Sequence, residues 1–274
     1  MSFITWISDP TVQWNNWSLE TKKRSYDFGR RLYTFQVENQ KYWLKFHVAN
    51  TDPVIEQAFQ GELDFYQLES IHSQHFLLPH HIIILEQTSQ CLHLEAKGRG
   101  LILFDAEKFF TDILPTTDLV IIQKKILDAL ETLDYMHEMG WVHGDLKPAH
   151  FRLYHGACRL IDFEQSFKSQ CPITRMNATP HYMAPELFHG EAKSIQSDLY
   201  ALGIILYEWL TNTKLNADTY YDWAVLHCQQ LHIQLPKALE CFFPLLNGLL
   251  QKRVEQRFRS VLDVKGCLNE IGLL

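Results

Sequence analysis

The sequence predicts an α+β chain in two lobes, a small β-rich one over about residues 1–95 and a larger α-rich one over about 96–274. Three observations carry that prediction. Aromatic and β-branched runs fill the first third. Two long stretches of helical periodicity follow in the remainder. A hydrophobic share of 46% over 274 residues suits a packed globular protein and is far too high for a disordered one.

The elements follow in order. Arg31–Glu38 and Lys41–His47 read as strands joined by a turn at Asn39-Gln40. After Pro53, the residues Ile55, Phe59, Leu63, Tyr66 and Leu68 mark one face of a helix. His81–Leu85 and Cys91–Leu94 read as two further strands, and Gly98 and Gly100 break the pattern. Over Asp118–His137, the residues Leu119, Ile122, Ile126, Leu130, Leu133 and Met136 form a helical stripe with Asp118 as its cap. Asp198–Leu210 is apolar nearly all round, the pattern of a helix buried inside the domain. No internal repeat or low-complexity linker interrupts this order.

Composition removes several classes of function. With 25 Lys+Arg against 32 Asp+Glu the net charge is -7, and no basic run exists, so a nucleic-acid partner is not expected. The best apolar stretch, Ala201–Leu210, contains Tyr207 and Glu208 and falls short of the ~18 residues of a membrane span. The apolar N-terminus lacks a basic region and meets Asp9 and Pro10, so no secretory signal is expected. Cys91, Cys158, Cys171, Cys228, Cys241 and Cys267 form no CxxC pair. They are expected to be reduced thiols of a cytoplasmic protein, with neither disulfides nor a structural metal.

Chemistry concentrates between the two long helices. There the chain reads Val142-His143-Gly144-Asp145-Leu146-Lys147-Pro148-Ala149-His150-Phe151, then Leu160-Ile161-Asp162-Phe163-Glu164. A carboxylate on a loop after a helix, followed by a second at the end of a strand, is the arrangement phosphoryl transfer uses. Asp145 can orient and deprotonate an acceptor hydroxyl, Asp162 can hold a metal that bridges phosphates, and Lys147 can neutralise charge on the transferring group.

These residues resemble the eukaryotic-type protein kinases, and the resemblance covers nearly the whole chain. HGDLKPAHF is similar to the catalytic loop and LIDFE to the metal-binding DFG segment. Ala178–Glu186, ATPHYMAPE, is similar to the end of an activation segment, and Ser197–Gly203 to the start of the family's central buried helix. Arg257 stands where the family pairs an Arg with the APE glutamate, here Glu186. The resemblance implies a bilobal protein kinase-like fold, ATP with Mg2+ or Mn2+, and a protein substrate or binding partner. It makes Asp145 and Lys147 catalytic and Asp162 and His150 metal-binding. Lys45, in Tyr42-Trp43-Leu44-Lys45, would contact the α/β-phosphates, with Glu62 preferred over Glu56 as its ion-pair partner. Trp43, Arg152, Glu95 and Lys97 complete the expected nucleotide-binding set. Asp198 is expected to brace the catalytic loop, and Glu186–Arg257 to tie the segment to the large lobe.

Four departures bear on activity. No GxGxxG is present, and only Gly29, in Phe28-Gly29-Arg30-Arg31, lies where a backbone cradle would stand. Arg30 or Arg31 could supply charge there instead. His150 replaces the family's metal-binding Asn and is expected across the triphosphate from Asp162. Trp43 and Arg152 occupy the roof and floor of the adenine slot, where they could stack by a cation–π contact. Gly144 replaces an Arg and Glu164 a Gly, so no phosphorylation switch of the activation segment is expected. Bacterial lipopolysaccharide-core sugar kinases are similar in Tyr42-Trp43-Leu44-Lys45-Phe46-His47 and His150-Phe151, and they too are glycine-poor over the phosphates. The leading reading is therefore an ATP-dependent Ser/Thr protein kinase. A pseudokinase acting as a binding module and a kinase of a sugar acceptor are the alternatives.

Overall fold

The computed structural model describes residues 14–69, 75–85, 98–114, 116–171 and 178–272. These fall into two compact units. The first holds residues 14–69, 78–85 and 98–106, and the second holds 75–77, 107–114, 116–171 and 178–272. The first unit runs past the boundary near 95 that the sequence suggests. The reason is pairing: Arg99–Phe104 is hydrogen-bonded between two strands of that unit, which therefore extends to Ala106.

The first unit is built on a five-stranded antiparallel sheet. Its strands are β1 (Asn15–Leu19), β2 (Arg30–Val37), β3 (Gln40–His47), β4 (His80–Ile84) and β5 (Arg99–Phe104), in the order β1-β2-β3-β5-β4. A short helix, α1 (Lys23–Asp27), joins β1 to β2. The β2–β3 hairpin pairs without a break from Arg30↔His47 to Val37↔Gln40. Its turn residues are Glu38 and Asn39, both left-handed at φ 48° and 68°. That is one residue earlier than the sequence suggests. Two consecutive left-handed residues match the twist of the flanking strands, and the shift leaves Gln40 free to pair with Val37. On one face of the sheet Trp14, Trp17, Phe35 and Tyr42 stack in series. The other face carries Trp43 and Lys45 of β3, opposite Thr34 and Leu32 of β2. Helix α2 (Pro53–Glu69) starts where Asp52 Oδ1 accepts from the N–H groups of Val54 and Ile55. It buries Phe59, Leu63, Phe65 and Tyr66; burial of each such side chain stabilises by about 2 kcal/mol.

The second unit is mainly helical. Helix α3 (Leu119–Glu138) buries Ile122, Ile126, Ala129, Leu130, Leu133 and Met136, and Asp118 caps it by accepting from Val120 and Ile121. The small strands of this unit are β6 (Glu107–Lys108), before α3, and β7 (Trp141–Val142), β8 (Phe151–Tyr154), β9 (Ala157–Leu160) and β10 (Phe167–Lys168), after it. They pair as β6-β8-β9 and β10-β7. The one-turn helix α4 (Pro185–Phe188) leads to α5 (Ile195–Thr211), which begins at a Ser194/Ser197 capping box one turn before the predicted start. Helix α5 is buried over most of its length. Gly203 allows this, because a Cβ there would lie 2.9 Å from Leu249 Cβ. Helices α6 (Tyr220–Val225), α7 (Phe243–Leu249) and α8 (Val261–Asn269) complete the unit. Every described cysteine is a free thiol. Among the described residues no helix is long and apolar enough to cross a membrane.

Candidate active site

In the first unit the site residues stand on β3 and α2. Lys45 occupies the middle of the sheet, between Leu32 of β2 and Leu101 of β5. Its ammonium is 2.7 Å from the Glu62 carboxylate, which is wholly buried. Glu56, the competing partner, instead accepts from the N–H of Asn50. Glu62 wins because it shares the inward face of α2 with Phe59 and Tyr66. A buried lysine costs desolvation, and the glutamate offsets it while fixing the ammonium in place. Trp43, two residues earlier on the same face, is half-buried, donates from Nε1 to Asp105 Oδ1 at 2.5 Å, and carries Lys41 Nζ 5.0 Å above its ring. Glu95 and Lys97 lie outside the described residues.

In the second unit β7 delivers the chain into the loop His143–Lys147, and Asp198 of α5 holds that loop. One Asp198 oxygen accepts from the N–H of His143 (2.8 Å) and from His137 Nε2 (3.0 Å), and the other accepts from the N–H of Gly144 (2.9 Å). Burial would raise the Asp198 pKa, but the hydrogen bond from His137, the neighbouring imidazoles and the Gly144 N–H outweigh it, so the pKa is lowered and the carboxylate stays ionised. Gly144 is left-handed at φ 76°, and a Cβ there would lie 2.6 Å from the Gln165 carbonyl oxygen. The backbone therefore excludes a side chain at this position, including the arginine that many kinases carry. The space is bordered instead by the stem of buried Lys193, whose Cδ would be 3.3 Å from such a Cβ. Burial lowers the Lys193 pKa, and the charges of Asp145 and Asp198 oppose that effect.

Asp145 follows directly. Its Oδ2 is 3.4 Å from Lys147 Nζ, and its Oδ1 accepts from both the N–H (3.0 Å) and the hydroxyl (2.9 Å) of Thr179. Asp145, Lys147 and Thr179 thus form one hydrogen-bonded group, and Asp145 and Thr179 line a pocket together with Lys193 and Ser197.

Asp162 follows β9. It is left-handed at φ 67°, a cost of order 1–3 kcal/mol for a non-glycine residue, and is tied on both sides of the turn. The preceding Ile161 donates to the His150 carbonyl at 3.1 Å, and the next residue, Phe163, is buried against Phe76. His150 Nε2 contacts Asp162 Oδ2 at 3.0 Å. The imidazole stands beside the carboxylate as its partner, not across from it as the sequence suggests. His143 packs against His150 with ring centroids 5.4 Å apart. Burial, with the neighbouring His150, pushes the His143 pKa down to about 4, so this ring is neutral. Arg152 is half-buried on β8, opposite Lys108 and Arg159.

The segment ending in Pro185-Glu186 is anchored as the sequence suggests. Arg257 makes a two-pronged pair with Glu186, both contacts at 2.9 Å, and Ser197 Oγ donates to the same carboxylate. Sequence reasoning did not single out Thr179, His137 or Lys193. Thr179 sits in the recognised segment, but its reach to Asp145 is tertiary. His137, at the end of α3, and Lys193, in a loop, carry no local pattern that points to the site.

The protein kinase domain family matches residues 41–263, and the chain belongs to that family. It is 43% identical over 90 residues to the serine/threonine-protein kinase RUNKEL of Arabidopsis thaliana, a match over 31% of this chain and 7% of that protein. A probable serine/threonine-protein kinase of Lactococcus lactis is 33% identical over 128 residues, 42% of this chain and 20% of its own length. One of Clostridium perfringens is 32% identical over 170 residues, 58% and 24% respectively. The matched segments thus span at most about a quarter of these relatives. As a class, protein kinase domains use ATP and a divalent cation and act on proteins.

Proposed function

We propose that this chain is an ATP-dependent protein kinase that transfers the γ-phosphate of ATP to a Ser or Thr hydroxyl. The observation that carries the reading is the Asp145 group: a carboxylate fixed by Thr179, with the Lys147 ammonium beside it. Asp145 orients the acceptor hydroxyl and takes its proton, and Lys147 offsets the charge on the phosphoryl group in flight. Lys45, preset by Glu62, binds the α/β-phosphates. Trp43 and Arg152 border the base, with Glu95 and Lys97 contributing further nucleotide contacts. The names of the relatives support the Ser/Thr assignment.

The donor chemistry around Asp162 suits a hard divalent cation. Asp162 and Glu164 offer carboxylate oxygens from one turn, which is what Mg2+ and Mn2+ prefer. Asp162 would hold the ion, which when bound neutralises the phosphates. His150, with Nε2 on Asp162 Oδ2, orients that carboxylate and so acts on the ion through it. His150→Ala should therefore weaken Mg2+-dependent and Mn2+-dependent nucleotide binding alike; a loss confined to Mn2+ would show that the imidazole itself is a ligand.

Transfer of labelled phosphate from ATP to a Ser/Thr peptide library tests the reading. Asp145→Asn should lower the rate by about 10²–10⁴-fold while ATP affinity stays within about twofold. Asp162→Asn should weaken metal-dependent ATP binding as well. Full activity in Asp145→Asn would overturn the assignment.

A further inference from the structure

Two carboxylates flank Gly144. Asp145 follows it in sequence, and Asp198 of α5 accepts from its N–H at 2.9 Å. Asp198 is buried, so water screens their mutual repulsion poorly. Many kinases carry an arginine at the position of Gly144, and here no side chain fits. The residue is left-handed, and a Cβ would meet the Gln165 carbonyl oxygen at 2.6 Å. The loop therefore cannot supply a cation from this position.

Lys193 reaches the same place from elsewhere in the chain. It is buried, and its stem passes Gly144 with Cδ 3.3 Å from where a Cβ would stand. It lines one pocket with Asp145, Thr179 and Asp198. Burial of an ammonium is unfavourable unless neighbouring carboxylates offset it, and the charges of Asp145 and Asp198 act on Lys193 in that sense. Its backbone is held by the start of α5. The next residue, Ser194, caps that helix in a reciprocal box with Ser197. Ser197 Oγ donates to Glu186, which Arg257 holds in turn. One helix start thus supplies both the carboxylate that grips the loop and the lysine that borders it.

We propose that Lys193 is a positioning residue for phosphoryl transfer: its buried ammonium offsets the repulsion between Asp145 and Asp198 and keeps the Asp145 carboxylate directed at the acceptor hydroxyl. It takes the place of the arginine that the backbone at Gly144 excludes. Without that charge, Asp145 is drawn onto Lys147, whose ammonium is 3.4 Å from its Oδ2, and away from the acceptor. This role rests on the kinase reading above and deepens it.

Phosphate transfer from saturating ATP to the Ser/Thr peptide library, with calorimetric ATP titration and urea unfolding of the full chain, tests it. Lys193→Met keeps an unbranched stem and removes the charge. Its transfer rate should fall about tenfold. Its ATP affinity should stay within about twofold, because Lys45 and Asp162 are untouched. Lys193→Arg restores the charge and should transfer within about threefold of wild type. In a double-mutant cycle, Lys193→Met should reduce the folding equilibrium constant about fivefold more in the wild-type background than in Asp145→Asn, where one of its two carboxylates is already neutral. A wild-type rate in Lys193→Met, or equal losses in Lys193→Met and Lys193→Arg, would overturn the positioning role and leave the kinase reading intact. Additive effects in the cycle would overturn it too, since Lys193 would then only pack against Gly144. If the wild-type chain neither binds ATP nor transfers phosphate, the kinase reading fails and takes this role with it.

Discussion

Lys45 and Glu62 are buried together, with side chains 11% and 0% exposed, and neither charge would be tolerated there alone. Removing one partner strands the other. Lys45→Met should destabilise the protein by about 3–5 kcal/mol, measured by urea unfolding. Lys45→Met combined with Glu62→Gln should recover much of that loss without restoring ATP binding. That outcome separates the pair's effect on the fold from the lysine's contact with phosphate; if the double variant is no more stable than the single, the coupling is absent. This pairing was legible in the sequence, because 3.6-residue spacing from Phe59 and Tyr66 points Glu62 inward. The His150–Asp162 contact was not legible, since it depends on the short turn that brings the end of β9 back beside the loop. A motif names the residues at a site but not which of them lean on one another.

At the scale of elements, α5 governs the loop that carries Asp145. Asp198, in the first turn of α5, receives two backbone N–H groups and the His137 ring inside the core. In Asp198→Ala all three donors are buried without partners, at about 1–3 kcal/mol each. Unfolding should therefore require several kcal/mol less. The turnover rate should also fall, because Asp145 directly follows Gly144 and loses its fixed backbone. Stability lost with the turnover rate unchanged would show that the loop holds its geometry without α5. The helices with the strongest patterns were readable, α3 from its apolar stripe and Asp118 cap, and α5 from its continuous apolar run. β1 and α1 were not. Asn15–Leu19 has too few apolar residues to alternate, and Lys23–Asp27 buries none of its side chains, so tertiary pairing alone makes them regular.

For the molecule as a whole, buried histidines set how stability responds to acid. His227 is fully buried, its Nδ1 paired with the Tyr200 hydroxyl at 2.9 Å and its ring flanked by Phe188 and Trp223. Burial, reinforced by the neighbouring His181, pushes its pKa down to about 4. In the unfolded chain the same ring titrates near 6.5. Between these values the unfolded state holds a proton that the folded state refuses, so stability rises with pH. The contribution is complete above about pH 6.5 and is lost progressively as pH falls toward 4. From pH 7 to pH 5 this single site should cost on the order of 2 kcal/mol. His143, depressed for the same main reason, acts in the same direction. Urea unfolding at pH 7 and pH 5 checks this in two variants. His227→Gln is less stable at neutral pH, because it loses the Tyr200 contact and leaves a poorer fit, yet its loss on acidification should be smaller than wild type by about that amount. His227→Phe, which removes the titratable group and keeps an aromatic ring against Phe188 and Trp223, should show the same shallower dependence. If both variants keep the wild-type slope, His227 is protonated in the folded protein at pH 5 and the burial argument fails.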